Sequence, residues 1–183
     1  DLYFDYVVTA TFTSVNGEFE YTATDCEVIK TSVLTAAEAG DDDAAEDPNE
    51  STLMACKTPP GIGADLVWEV VMNDITPIGP ILTTSYANPF ISSITGVGGV
   101  QEDSLTTAGG EALRISGDNF GYSGMDETLV QRYVSVTYGP NDVYVAKVDE
   151  VGEDYVLVRT VEGTGVDHSF TVIVAGQVSD VDA

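Results

Sequence analysis

The stretch that decides the fold occurs twice, as LMACKTPPGIGADLVWEVVM from Leu53 to Met72 and as YVLVRTVEGTGVDHSFTVIV from Tyr155 to Val174. The two copies align without gaps. A repeated segment of this length predicts an array of similar modules. The aligned pairs that match best are Thr58/Thr160, Gly61/Gly163, Gly63/Gly165, Asp65/Asp167, Trp68/Phe170 and Val70/Val172.

Around the repeat, short segments rich in β-branched and aromatic residues alternate with clusters of Gly, Pro, Asn and Asp. Such segments, spaced by roughly 8–12 residues, predict an all-β fold of sandwich type. One short helix is predicted, over Thr35–Ala45. The predicted strands are Tyr6–Phe12, Phe19–Ala23, Cys26–Thr31, Leu66–Met72, Ile81–Tyr86, Leu113–Ser116, Tyr133–Tyr138, Asp142–Val148, Tyr155–Thr160 and Ser169–Val174.

A proline-bearing linker separates the two copies. Pro77, Pro80 and Pro89 predict a boundary near Asn88, with domains 1–88 and 89–183. Between its DCEVIK segment and the repeat, the first copy carries an acidic insert over 35–50 that the second copy lacks. Insertions within a repeat map to surface loops.

The chain has 31 acidic and 6 basic residues, for a net charge of -25. Both parts contribute, with 16 acidic and 2 basic residues up to Ala87 and 15 and 4 after it. Such a surface repels nucleic acid and anionic membranes. It suits high salt, a medium rich in divalent cations or a cationic partner, and solubility alone is the alternative explanation. No apolar run approaches the roughly 20 residues of a membrane span, so no membrane insertion is expected in this segment.

The two cysteines, Cys26 and Cys56, align with Val143 and Val158 when DCEVIK is matched to DVYVAK. A cysteine pair replaced by a valine pair predicts two positions in contact, and therefore a disulfide. The sequon at Asn49 predicts a glycosylation site in the most polar loop. Together these features predict an extracellular or cell-surface location.

Catalytic motifs are scarce. His168 is the only histidine, and its neighbours Asp167 and Ser169 alternate in direction along a strand, which argues against a triad. No enzyme activity and no cofactor are therefore expected. No metal site is predicted either, because the acidic insert is interpreted as a solvated loop. Calcium is the alternative for this loop, with oxygen ligands at Asp41, Asp42, Asp43 and Asp47.

Residues 89–179 resemble an IPT/TIG domain, the immunoglobulin-like module of plexins, of some transcription factors and of many cell-surface proteins. The resemblance is carried by PFISSITGVGG, GGEALRISGDNFG (Gly109 to Gly121) and FTVIVAGQVS. In the first copy, MACKTPPGIG and TSYANP are similar to the back half of the same module. The resemblance implies two immunoglobulin-like β-sandwiches in tandem, the first lacking its opening strands and the second its last strand.

The function implied is that of a non-catalytic structural or adhesive module in a large acidic extracellular or surface protein. Neighbouring similar modules, or other copies of the same protein, would complete the sheets and build a filament, coat or matrix. Two alternatives stay open. One is a receptor-type ectodomain that binds a protein or glycan ligand, and the other is an accessory module of a secreted carbohydrate-active enzyme.

Overall fold

The structure, a computed structural model, describes residues 8–31, 51–76, 79–101 and 103–181. These residues form an all-β, sandwich-like fold, as the sequence predicts. The exceptions are one short helix, α1 (Glu127–Tyr133), and a 3-10 turn at Pro140–Asp142. The strands are β1 Val8–Thr13, β2 Glu20–Thr22, β3 Thr24–Thr31, β4 Ser51–Lys57, β5 Leu66–Met72, β6 Thr83–Thr84, β7 Phe90–Gly96, β8 Ala112–Asp118, β9 Val134–Tyr138, β10 Tyr144–Val151, β11 Tyr155–Arg159, β12 Phe170–Val174, β13 Gln177–Val178 and β14 Asp180–Val181.

The chain divides into two compact units, one of Asp1–Pro59 with Val67–Thr83 and one of Pro60–Leu66 with Thr84–Ala183. In the first unit, β1 pairs antiparallel with both β2 and β5, which gives the strand order β2-β1-β5-β6. Strands β3 and β4 form a separate antiparallel hairpin. Strand β4 was not among the strands predicted from the sequence.

The second unit is one long sheet folded upon itself, in the order β13-β12-β9-β10-β11-β8-β7-β14. The sheet bends at strand β10, because the first residues of β10 pair with β9 and the rest pair with β11. A register shift in the β10–β11 pairing marks a bulge, and a bulge bends a strand and increases its twist. The two halves of the sheet therefore face each other across a core.

Side chains in these strands alternate between buried and exposed, as expected for half-buried strands. Strands β9 and β12 each bury every second residue, and β8 and β11 do the same over most of their length. Burying each such aliphatic side chain stabilises the fold by about 1.5–3 kcal/mol. The residues that are almost fully buried in this unit include Leu113, Ile115, Phe120, Val136, Val156, Val158 and Val172.

The repeat seen in the sequence is also a repeat of backbone conformation. Gly63 and Gly165 have φ values of 111° and 131°, and Asp65 and Asp167 have values of 52° and 53°. The strand register repeats as well, because Phe12 lies opposite Trp68 as Tyr138 lies opposite Phe170. In both pairs the aromatic rings are in contact, with centroids 4.5 Å and 4.8 Å apart.

The helix predicted over Thr35–Ala45 lies outside the described residues. The helix that the structure does contain, α1, was not predicted. Asp126 caps it by accepting a hydrogen bond of 2.9 Å from the Leu129 amide. Glu127 in the first turn and Arg132 in the last turn match the helix dipole, so a local signal was present in the sequence.

Gly117 and Gly121 bracket the turn of the GGEALRISGDNFG segment. The turn uses a positive φ at Asn119 (63°), and not at Gly117 or Gly121. Gly117 is required by packing, because a Cβ there would lie 1.8 Å from the Phe90 carbonyl oxygen on β7. Phe120 is fully buried.

Candidate functional site

The second unit contains an open pocket of about 690 Å³ at one end of its sheet. Its walls come from the loop before β8, from the facing ends of β9 and β10, and from the loop between β11 and β12. The lining residues are Asp103, Ser104, Leu105, Thr106, Thr107, Tyr138, Tyr144, Thr160, Val161, Gly163, Thr164, Gly165, Val166, Asp167, His168 and Phe170.

An aromatic cluster forms the floor of this pocket. The Tyr138 ring is stacked on Phe170, with centroids 4.8 Å apart and planes inclined by 12°. Tyr144 lies 5.1 Å from Tyr138 on the adjacent strand, at the positions that β9 and β10 place opposite each other. The cluster therefore joins the core of the unit to the pocket surface.

Two tyrosine hydroxyls hold the loop between β11 and β12. The Tyr138 hydroxyl accepts from the Val161 amide at 2.9 Å and donates to the Val161 carbonyl at 3.1 Å. The Tyr144 hydroxyl makes the same pair of bonds to Thr164, at 3.1 Å and 2.9 Å. Burial raises the pKa of Tyr138, so its hydroxyl stays protonated and can donate. A Cβ on Gly163 would lie 2.7 Å from the Tyr144 ring, so this position requires glycine.

Glu111 holds the opposite wall, the loop 103–107. Its carboxylate accepts hydrogen bonds from the Thr106 amide (2.8 Å), the Thr106 hydroxyl and the Thr160 hydroxyl (2.8 Å). These donors, led by the Thr106 hydroxyl, lower the pKa of Glu111 from 4.5 to about 2. Gly163 donates from its amide to the Thr107 carbonyl at 3.1 Å and so ties the two loops together.

His168 lies at the edge of the aromatic cluster, just before β12. Its ring meets Tyr138 and Tyr144 edge-on, with centroid distances of 5.8 Å and 5.5 Å. Within the described part of the chain, its imidazole makes no hydrogen bond to a carboxylate or hydroxyl group, although Asp103, Ser104 and Asp167 line the same pocket. The expectation that the chain is not an enzyme stays a prediction.

The structure joins Cys26 to Cys56 in a disulfide across the β3–β4 hairpin, with the Cα atoms 4.1 Å apart. This prediction is confirmed, but the reasoning from Val143 and Val158 is wrong. Val158 is buried and lies opposite Val148 on β10, whereas Val143 is 62% exposed.

Strand pairing, and not residue identity, shows which positions of the two hairpins correspond. In the first hairpin Thr24 lies opposite Lys57, and a bulge precedes the Glu27 pair. In the second hairpin Lys147 lies opposite Arg159, and a bulge precedes the Glu150 pair. This register matches Cys26 with Asp149, the bulged residue of β10.

The remaining predicted site residues lie outside the described residues. They are the calcium candidates Asp41, Asp42, Asp43 and Asp47 and the glycosylation candidate Asn49. Among the residues that are described, no group of three or more His, Cys, Asp or Glu side chains is arranged to hold a metal ion. Within the same ranges no helix has both the length and the apolar character needed to span a membrane.

The pocket was not predicted from the sequence, although the repeat contained a signal for it. At two aligned positions the first copy has Ile62 and Leu66 where the second has Thr164 and His168. The strand register of the structure adds a third pair, Phe12 and Tyr138. Comparisons with protein-family models, with curated proteins and with solved structures find no match for this chain.

Proposed function

We propose that the chain is a structural or adhesive part of a large acidic protein that is exposed outside the cell. In this proposal its two units are IPT/TIG-like, immunoglobulin-type modules in tandem, and they do not catalyse a reaction. The observation that carries the proposal is the repeated strand, turn and strand, with the same register and the same left-handed residues in both copies. Repetition of one β-module is how chains build extended arrays.

Two further features support an extracellular location. The Cys26–Cys56 disulfide is of a kind that persists in oxidising compartments and is rare in the cytosol. The 31 acidic residues keep a protein soluble at the high ionic strength found outside many cells, where their mutual repulsion is screened. The GGEALRISGDNFG segment also supports the IPT/TIG assignment, because its Phe120 is a core residue and its Gly117 allows two strands to approach closely.

An antibody against residues 89–183 tests this function in the organism that carries the gene. We expect it to label intact, unpermeabilised cells or their secreted matrix, and the labelled protein to sediment as an assembly. Labelling only after permeabilisation would contradict the extracellular assignment. Sedimentation as a single chain after extraction with detergent would favour the receptor-type alternative, and co-purification with a glycoside-cleaving activity would favour the accessory-module alternative.

A further inference from the structure

We infer that the pocket of the second unit binds a neutral saccharide, an activity that goes beyond the structural role proposed above. The ligand would contact the hydroxyl and carboxylate groups of the 103–107 loop on one side. On the other side it would contact Thr164, Asp167 and His168.

Two apolar residues of the first copy are replaced by polar residues in the second copy. Folding does not require polar groups at these positions, because the first copy uses Ile62 and Leu66 where the second has Thr164 and His168. In the second copy these polar side chains line an open cavity instead of a closed core. Polar groups gathered in a cavity, without a role in the fold, are typical of a binding site.

The lining of the pocket carries negative charge. It contains the carboxylates Asp103 and Asp167 but no lysine or arginine, so it repels phosphate, sulfate and uronic acid groups. Carboxylates and threonine hydroxyls are, by contrast, good partners for the many hydroxyl donors of a sugar. A neutral polyhydroxyl ligand fits this set better than an anion does.

The arrangement of the aromatic rings does not suit a cage for an organic cation. Such a cage needs open ring faces. Tyr138 and Phe170 turn their faces to each other, and Tyr138 itself is 3% exposed. The rim offers aliphatic surface instead, at Leu105 and at Val166, a residue that is 83% exposed. Aliphatic groups of this kind can pack against the C–H bonds of a sugar ring.

The walls of the pocket are held in place before any ligand arrives. Tyr138 and Tyr144 fix one loop by four hydrogen bonds to its backbone, and Glu111 fixes the other. A preformed site avoids the entropic cost of ordering loops on binding. The volume of about 690 Å³ lies within the roughly 300–1,000 Å³ typical of ligand pockets.

The experiment is a binding screen on the whole chain with cello-, manno- and malto-oligosaccharides, and with sulfated and uronic-acid oligosaccharides as the anionic arm. Binding is then quantified by calorimetry for the double variant Thr164→Ile/His168→Leu, which restores the residues of the first copy. The matched control for the threonine change is Thr171→Ile on β12, at a residue that does not line the pocket. We expect the wild type and the control to bind a neutral member alike, and the double variant to bind it at least tenfold more weakly.

Three results would overturn the inference. They are no neutral oligosaccharide bound by the wild type, binding confined to the anionic arm, and unchanged affinity in the double variant. If the double variant does not fold, Asp103→Ala and Ser104→Ala remove a carboxylate and a hydroxyl from exposed positions in the 103–107 loop of the pocket. Each should weaken binding severalfold without lowering the melting temperature, and unchanged affinity in both would be equally decisive against the site. None of these results depends on where the protein is located, so the structural proposal is tested separately.

Discussion

At the scale of single residues, Glu111 shows how the second unit positions a polar loop. Its carboxylate gathers two donors from Thr106 and one from Thr160, a side chain that is 6% exposed. The Glu111 amide in turn donates to the Thr160 hydroxyl at 3.1 Å. Because these bonds favour the charged form, they lower the pKa of Glu111 to about 2.

The pH dependence follows from the direction of that shift. A carboxyl whose pKa is lower in the folded state stabilises the fold fully above its ordinary pKa of 4.5, and this contribution is lost as the pH falls towards about 2. Thr160→Val removes one donor, so the Glu111 pKa should rise and the loss of melting temperature should be larger at pH 7 than at pH 2.5. Carbon-detected NMR titration of the carboxyl group measures the pKa directly.

The control for this prediction is Thr171→Val, which removes a hydroxyl from the outer face of β12 and should leave the Glu111 pKa unchanged. A wild-type pKa near 4.5 would contradict the role assigned to Glu111. So would a Thr160→Val variant that is equally destabilised at both pH values, because the loss would then come from packing alone.

At the scale of elements, strands could be predicted wherever the pattern was local. The bounds of β5, Leu66–Met72, were predicted correctly, since this strand is rich in β-branched and aromatic residues and is bounded by turns. Strand β14 was missed, because it has only two residues and is held by parallel pairing with Phe90 and Ile91 of β7, far away in the sequence. Such long-range pairing leaves no local pattern.

The exchange of Ile62 and Leu66 for Thr164 and His168 was visible in the sequence, but the place of the pocket in the fold could not be predicted, for the same reason. Asp103 and His168 are separated by most of the second unit, and only the folding of the sheet at β10 brings their loops together. The disulfide was predicted from an alignment with Val143 and Val158 that the strand register does not support. Its exact place, beside a bulge of the β3–β4 hairpin, depends on a register that the residue alignment did not reveal.

The disulfide gives a prediction at this scale. Replacing Cys26 and Cys56 together by serine should lower the free energy of unfolding of the first unit by roughly 3–4 kcal/mol, because the bond closes a loop of 30 residues. Urea denaturation, followed by the fluorescence of the single tryptophan Trp68, measures this change.

Asp25→Asn provides a control in the same hairpin. It breaks the ion pair between Asp25 and Lys57, whose charged atoms are 2.8 Å apart. Both side chains are largely exposed, so the expected cost is at most about 1 kcal/mol. If the cysteine double variant costs no more than this control, the disulfide does not stabilise the unit.

At the scale of the whole molecule, charge is the dominant feature. The 6 basic residues are too few to neutralise the 31 acidic ones, even with every basic side chain paired. The ion pairs seen in the described ranges, such as Arg159 with Asp149 at 2.7 Å, involve partly exposed groups, and exposed pairs contribute little. Repulsion among carboxylates should therefore oppose folding at low ionic strength.

Added salt should consequently stabilise the chain. Raising NaCl from 10 mM to 1 M shortens the screening length from about 30 Å to about 3 Å, so the melting temperature of each transition should rise. An increase of about 1 kcal/mol in the free energy of unfolding corresponds to a rise of about 2–4 °C in the melting temperature of a chain of this size. A melting temperature that falls with salt would show that attractive ion pairs outweigh the repulsion.

Calcium is tested by adding about 1 mM CaCl2 at matched ionic strength. If Asp41, Asp42, Asp43 and Asp47 bind the ion, calcium should raise the melting temperature above the NaCl value, and the variant Asp41→Asn/Asp42→Asn/Asp43→Asn should abolish that difference. An equal rise in both salts would mean that the acidic insert only adds to the general charge.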